Sequence, residues 1–120
     1  MRKFDLEERL ISFAVAVLEV VDVLPSKYSA NHLGNQLARS STSPALNYGE
    51  AQAAESINDF IHKMKICLKE LRETSINLKI IERRGYIISN DISGVRKESL
   101  ELVAIFTKSI QTAKAKKLSA

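Results

Sequence analysis

The sequence is organised around the segment Gln36-Leu-Ala-Arg-Ser-Ser-Thr-Ser-Pro-Ala-Leu-Asn-Tyr-Gly-Glu50. Five of its polar residues follow one another at steps of 4, 3, 4 and 3, the spacing of one face of an α-helix. With Arg39 alongside, they form what we call the polar stripe: Gln36, Arg39, Ser40, Ser43, Asn47 and Glu50. Because most of these groups are neutral, the stripe differs from an ordinary solvated face of Lys and Glu. It indicates an ordered contact: a hydrogen-bonded seam within the protein or between subunits, or a surface for a ligand.

The helix that carries the polar stripe has expected ends and one expected irregularity. Ser29 or Asn31 is a suitable N-terminal cap, and Gly49 either ends the helix or permits a close approach. Pro44 cannot donate a hydrogen bond to the Ser40 carbonyl, which predicts a kink costing about 3 kcal/mol unless neighbouring hydroxyl groups compensate.

Three further segments show helical periodicity. Together with the stripe helix, they predict a single domain spanning residues 1–120, with helices at about 5–23, 30–50, 54–84 and 90–117. The predicted core positions of the first helix are Leu6, Leu10, Phe13, Val17, Val20 and Leu24. Those of the third helix are Ile57, Ile61, Met64, Leu68, Leu71, Ser75, Leu78 and Ile81. Those of the fourth helix are Ile92, Val95, Ser99, Leu102, Phe106, Ile110 and Ala113.

The connections between these helices are short, so consecutive helices are expected to run antiparallel. Gly85 is placed to stop the third helix, and Ser89 or Asn90 to cap the fourth. The predicted fold class is therefore all-α, an antiparallel up-down-up-down four-helix bundle with coiled-coil-like packing. The first helix is apolar almost all round, because between Leu10 and Val21 only Ser12 and Glu19 are polar. One bundle covers about half of such a helix, so we expect a neighbouring subunit to cover the rest.

Composition and charge restrict the possible functions. An apolar content of 45% in 120 residues suits one globular domain, and no apolar run approaches the roughly 18 residues of a membrane span. The acidic residues near the N-terminus argue against a signal peptide, and the single cysteine leaves a reducing cytoplasm as the expected location. Residues 1–60 carry a net charge of −3 and residues 61–120 a net charge of +7. The second half is therefore expected to attract phosphates or an acidic protein surface.

The third helix concentrates this positive charge. Five residues follow one another at steps of 4, 3, 7 and 4 and form what we call the basic face: Lys65, Lys69, Arg72, Lys79 and Arg83. Lys63, Arg84 and the C-terminal Lys114, Lys116 and Lys117 are expected to extend it. The other interpretation is a solvated face, in which glutamates of the same helix pair with the basic groups at helical spacing. Aromatic residues are scarce near the basic face, so contact with phosphates is favoured over reading of single-stranded bases.

The sequence contains no recognised catalytic or metal-binding pattern. His32 and His62 lie on different helices outside any recognised ligand pattern, and Cys67 beside the apolar positions of the third helix is interpreted as a small core residue. We therefore expect no metal, no cofactor and no enzymatic activity.

The stripe segment resembles a known family, the four-helix bundle proteins encoded in intervening sequences of bacterial 23S ribosomal RNA genes and elsewhere in bacterial genomes. The family pattern Q-L-x-R-S/A-x-x-S-x-x-x-N-x-x-E is matched at Gln36, Leu37, Arg39, Ser40, Ser43, Asn47 and Glu50. The stretch from Phe60 to Leu71 is similar to the third helix of that family.

The resemblance implies an antiparallel bundle that assembles as a ring-like homopentamer, lacks enzymatic activity and has a role in binding RNA. A similar bundle is the accessory protein of diversity-generating retroelements, a basic pentamer that works with a reverse transcriptase and nucleic acid. Our leading hypothesis is therefore a homo-oligomeric bundle that binds structured nucleic acid, RNA before DNA, through the basic face. Arg39 would contact phosphate or pair with Glu50 or Glu55. The alternative is a protein–protein adaptor or scaffold without nucleic-acid binding, whose polar stripe docks a partner polypeptide. Under either hypothesis a reverse transcriptase is a possible partner, and no membrane is expected.

Overall fold

The computed structural model describes residues 5–87 and 90–119, with the side chains of residues 90 and 91 left out. Its four helices are α1 (Leu6–Asp22), α2 (Tyr28–Gln52), α3 (Ile57–Arg84) and α4 (Asn90–Ser119). The described residues contain no strand. The prediction of an all-α, antiparallel four-helix bundle is confirmed, because each helix packs closely against the one that follows it in the chain.

Local sequence explains most of the helix ends. The carboxylate of Asp5 accepts a hydrogen bond from the Glu8 amide at 3.0 Å and caps α1. The Ser56 hydroxyl does the same for α3 by accepting from the Asp59 amide at 3.0 Å, so this helix begins after the cap and not near Ala54. Gly85 ends α3 as predicted, in the left-handed conformation with a φ of 70°.

Helix α2 begins earlier than its sequence suggests. Lys27 is the residue before the first turn, in an extended conformation and without a side-chain cap, so the prediction of Ser29 or Asn31 as the cap was wrong. Ser29 does not cap the helix because its hydroxyl makes a tertiary hydrogen bond instead, with the hydroxyl of Tyr86 just after the end of α3. The cap expected from Ser89 or the Asn90 side chain lies outside the described residues.

Of the two special residues of α2, Gly49 behaves differently from expectation, whereas the kink at Pro44 stays a prediction. The helix continues through Pro44, which is buried, and past Gly49 to Gln52. A Cβ atom at Gly49 would have no neighbour within 4 Å, so Gly49 neither ends the helix nor permits a close approach. The close approach occurs at Gly34, where a Cβ would lie 3.3 Å from the Leu24 Cδ1 atom.

The predicted apolar positions form one core. Of the core positions predicted for α1, α3 and α4, most are fully buried, while Leu24, Leu68 and Val95 are partly buried and pack against the cluster. The exception is Ile57, which is 40% exposed because it occupies the first position of α3, at the end of the bundle. Cys67 is a core residue, as predicted, with an exposed fraction of 0%.

The bundle closes unevenly. Among neighbouring helices, contact is most extensive between α2 and α3 and least extensive between α1 and α4. The guanidinium of Arg9 joins α1 to α4 by donating to both carboxylate oxygens of Glu98, at 2.7 and 2.8 Å, and these bonds raise the pKa of Arg9. On α1 the side chains of Ile11 and Val15 remain 42% and 50% exposed. The chain by itself therefore leaves part of this apolar helix uncovered.

Burial makes Cys67 a probe of unfolding. Desolvation raises the pKa of its thiol to about 12, so only about one thiol in ten thousand is ionised at pH 8. We expect Ellman's reagent to react with the native protein at the rate of unfolding, and within seconds after urea is added. Reaction within seconds in the absence of urea would contradict this burial.

Substitutions at Gly85 and Gly49 should show that Gly85 ends a helix and that Gly49 lies within one. Gly85→Ala places a Cβ at a φ of 70° and should lower the free energy of unfolding by about 1 kcal/mol. Gly49→Ala is the matched control, because its surroundings are equally open but its backbone is helical, and it should raise stability by up to about 1 kcal/mol. Urea denaturation of both variants measures the effects. Equal effects of the same sign would refute the assignment of these ends.

Candidate functional site

The polar stripe makes most of its contacts inside the chain. Ser40 and Thr74 are fully buried, and their hydroxyl oxygens lie 2.8 Å apart between α2 and α3. Thr74 Oγ1 is also 2.8 Å from the Glu70 carbonyl, which can only accept a hydrogen bond. The single hydroxyl hydrogen of Thr74 is therefore used in the hydrogen bond to that carbonyl. The hydrogen bond between the two hydroxyl groups must then be donated by Ser40 and accepted by Thr74. This pair ties the centre of α2 to α3.

Arg39 is held by two glutamates of α3. Its guanidinium donates to Glu70 at 3.1 Å and to Glu73 at 3.2 Å. The prediction that Arg39 pairs with Glu50 or Glu55 was wrong, since eleven helical residues separate Arg39 from Glu50 by about 16 Å. Glu50 instead accepts a hydrogen bond from the Lys63 ammonium at 2.8 Å, and this contact raises the pKa of Lys63.

The remaining stripe residues bond locally or line a shallow depression. The Asn47 amide donates to the Ser43 carbonyl at 3.1 Å and to the Ser43 hydroxyl at 2.9 Å. Gln36 lines a depression together with Arg39 and Glu73. Among the hydroxyl groups around Pro44, Thr42 donates to the Ala38 carbonyl, one turn before Thr42 itself, at 2.8 Å. These contacts favour the interpretation of the stripe as a seam of the bundle.

The basic face points into solvent. All five of its residues are exposed, and within the described part of the chain none of them forms an ion pair. The glutamates of α3 do not neutralise it, contrary to the pairing expected at helical spacing. Glu70 and Glu73 bond to Arg39 of α2, and Glu82 Oε1 lies 3.0 Å from Arg96 Nε of α4. These carboxylates lie on the sides of α3 that face its neighbours, which leaves the outward charge uncompensated.

The residues expected to extend the basic face are in different situations. Lys114, Lys116 and Lys117 are exposed on the last turns of α4, which continues to Ser119. Lys63 is bound to Glu50, and so its charge is balanced. Arg84 is exposed and stacks on Tyr86, with the guanidinium carbon 4.9 Å from the ring centroid.

One pocket of the structure was not predicted from the sequence. A pocket of about 460 Å³ lies where α2 begins and α3 ends, and we call it the tyrosine pocket; it is lined by Tyr28, Ser29, His32, Leu33, Ile80, Arg84 and Tyr86. Tyr28 and Tyr86 are far apart in sequence, but consecutive antiparallel helices place them at the same end of the bundle. Their positions at the start of one helix and just after the end of the next are the signal that would have predicted this pocket.

The described residues also bear on metals and membranes. Within residues 5–87 and 90–119, no group of three or more His, Cys, Asp or Glu side chains is arranged to hold a metal ion. His32 and His62 are both exposed. Among the helices that the structure describes, none combines the length and the hydropathy needed to span a membrane.

Comparison with known proteins places this geometry in a family. A crystal structure of a protein of unknown function from the S23 ribosomal protein family of Bacteroides thetaiotaomicron superposes with a TM-score of 0.81 and 29% sequence identity. The alignment covers 88% of this chain and 98% of that one. No curated protein of similar sequence was found. The family model described as "23S rRNA-intervening sequence protein" matches residues 2–108. The chain therefore belongs to the 23S rRNA-intervening sequence protein family.

Proposed function

We propose that the protein is a non-catalytic bundle that binds structured nucleic acid, RNA before DNA, through the basic face of α3. The observation that carries this proposal is the uncompensated charge of that face. Its five basic groups are exposed, while Arg39 and Arg96 from neighbouring helices hold the glutamates of the same helix. An ordinary solvated face would intersperse the two signs of charge.

The mode of binding follows from the chemistry of the face. Lys and Arg side chains along one helix contact phosphates, which gives affinity without base specificity. In double-stranded RNA the base edges of the deep groove are out of reach, so a protein of this kind recognises shape and backbone. Arg84 and the three lysines at the end of α4 would add contacts, in the cytoplasm where RNA is available. The association of the family with ribosomal RNA genes favours RNA as the ligand.

We also propose that the chain assembles with copies of itself, as a pentamer. The support is the uncovered apolar surface of α1, where Ile11 and Val15 are 42% and 50% exposed. These side chains and Leu18 form a stripe with steps of 4 and 3 that points away from the Arg9 and Ala16 side facing α4. A second copy would remove this surface from water and repeat the basic face around a symmetric particle.

The alternative function, a protein–protein adaptor, relies on the polar stripe as a docking surface for a partner such as a reverse transcriptase. Most of the stripe groups already bond within the chain, which leaves few of them for a partner. Pull-down with and without nuclease separates the two functions, since an adaptor keeps its partner after nuclease treatment and an RNA-binding protein does not.

Removing charge from the basic face should weaken RNA binding. Lys69→Gln combined with Arg72→Gln is expected to reduce affinity for a structured RNA several-fold and to lower the slope of log affinity against log salt by about one to two. The measurement is a filter-binding titration at several salt concentrations. The matched control is Lys97→Gln with Lys108→Gln, which removes the same charge from exposed positions of α4. Equal losses of RNA affinity in both double variants would show that only the net charge matters, and not the basic face. Binding by the wild type that does not depend on salt would refute the proposal.

Charge introduced on the apolar surface of α1 should disrupt assembly. Ile11→Glu with Val15→Glu is expected to convert a multimer into a monomer, because two carboxylates would otherwise be buried without partners. Light scattering or sedimentation measures the mass, and circular dichroism shows that the helices persist. Ser12→Glu, exposed on another side of α1, should leave the multimer intact. A wild-type protein that is monomeric at micromolar concentration would contradict the assembly proposal.

A further inference from the structure

The tyrosine pocket combines apolar, aromatic and cationic groups in one concavity. Its volume of about 460 Å³ lies within the range of small-ligand sites. Leu33 and Ile80 supply apolar lining, and the phenol ring of Tyr28 stands beside it with an exposed fraction of 88%. Because so little of the Tyr28 ring is buried in the folded chain, most of its apolar surface can still be buried against a ligand.

The opposite side of the pocket is hydrogen-bonded and positively charged. The Tyr86 hydroxyl bonds to Ser29 and accepts a hydrogen bond from Arg84 Nε at 3.0 Å, while the Arg84 guanidinium also packs on the Tyr86 ring. The hydrogen bonds from Ser29 and Arg84 lower the pKa of Tyr86. Among the residues that the structure describes, no carboxylate lines the pocket, whereas the depression beside Arg39 contains Glu73 and the groove between α1 and α4 contains Glu19. The pocket therefore suits an anionic ligand with a flat, apolar part.

The pocket lies beside the C-terminal end of the basic face on α3. Ile80 and Arg84 line the pocket, and each directly follows a basic-face residue, Lys79 and Arg83. Lys27 precedes Tyr28 at the other side. The amides in the first turn of α2 lack a side-chain cap, and they add donors beside these cations. A strand whose phosphates follow the basic face would meet these further donors at the pocket.

We infer that the tyrosine pocket holds one unpaired nucleotide of a bound RNA, with its base against Tyr28 and its phosphate beside Arg84. This inference rests on the proposed RNA binding and adds the class of ligand, an RNA with a loop or bulge next to a duplex. Proteins commonly recognise such RNAs by stacking splayed bases on aromatic rings or on guanidinium planes. The pocket thus supplies the base contact that the basic face lacks.

The test compares two RNA hairpins with the same stem, one with a loop of ordinary nucleotides and one with an abasic loop of equal charge. The wild type should bind the ordinary loop about tenfold more tightly, and Tyr28→Ala should remove that difference while leaving the affinity for the abasic hairpin unchanged. Tyr28→Phe keeps the ring and should keep the difference. Because Tyr28 is exposed, these variants leave the core intact.

A fluorescence experiment provides an independent readout, since the chain contains no tryptophan. Tyr28→Trp creates a single reporter whose emission should be quenched by the ordinary hairpin and not by the abasic one. Leu46→Trp is the matched control, at a position of α2 that is 70% exposed and about 27 Å from Tyr28 along the helix, and its emission should not change on binding.

The outcomes separate the pocket from the basic face. Salt-sensitive binding that is equal for both hairpins and unaffected by Tyr28→Ala would overturn the pocket inference and leave the proposed function standing. Absence of salt-sensitive binding to either hairpin would overturn both. Loss of the loop preference in Tyr28→Ala, with quenching at position 28 alone, would support the inference.

Discussion

The close contact between α2 and α3 is the constraint on which the rest of the structure depends. The face of α2 that enters the bundle carries small side chains, including Ala30, Gly34 and Ser40, and these allow the neighbouring helices to approach. Such a face buries hydroxyl groups, and buried hydroxyl groups need hydrogen bonds. Thr74 meets this need for Ser40, because it lies opposite Ser40, accepts its hydrogen bond and donates its own to the Glu70 carbonyl. The register of the two helices is thereby specified by hydrogen bonds as well as by volume.

The same register determines the electrostatics of the surface. With Ser40 facing Thr74, Arg39 reaches Glu70 and Glu73 on the flank of α3. On the other flank Arg96 approaches Glu82 at 3.0 Å, although its N–H group is not aligned for a hydrogen bond. Both flanks of α3 therefore use arginines from other helices to balance its glutamates. The outward lysines and arginines of α3 keep their charge, so the packing of the interior leads directly to the positive surface.

The sequence was most informative where periodicity alone decides the outcome. Four helices, the burial of residues such as Phe13 and Leu102, and the stop at Gly85 follow from spacing and from the conformational freedom of glycine. It was least informative where residues distant in the chain meet. The Ser29 hydroxyl bonds to Tyr86 instead of capping α2, and the partners of Arg39 depend on the register between two helices. The tyrosine pocket was missed for the same reason, since only the antiparallel arrangement brings its two ends together.

The uneven closure of the bundle has a consequence for how the chain acquires its structure. Because contacts join each helix mainly to the next, and α1 touches α4 least, the native contacts are close together in sequence. Chains with such low contact order fold rapidly, since little loop entropy is lost before contacts form. During synthesis the hairpin of α1 and α2 can pack as soon as it leaves the ribosome, before α4 exists. The last helix then closes the core, to which it contributes Leu102 and Phe106.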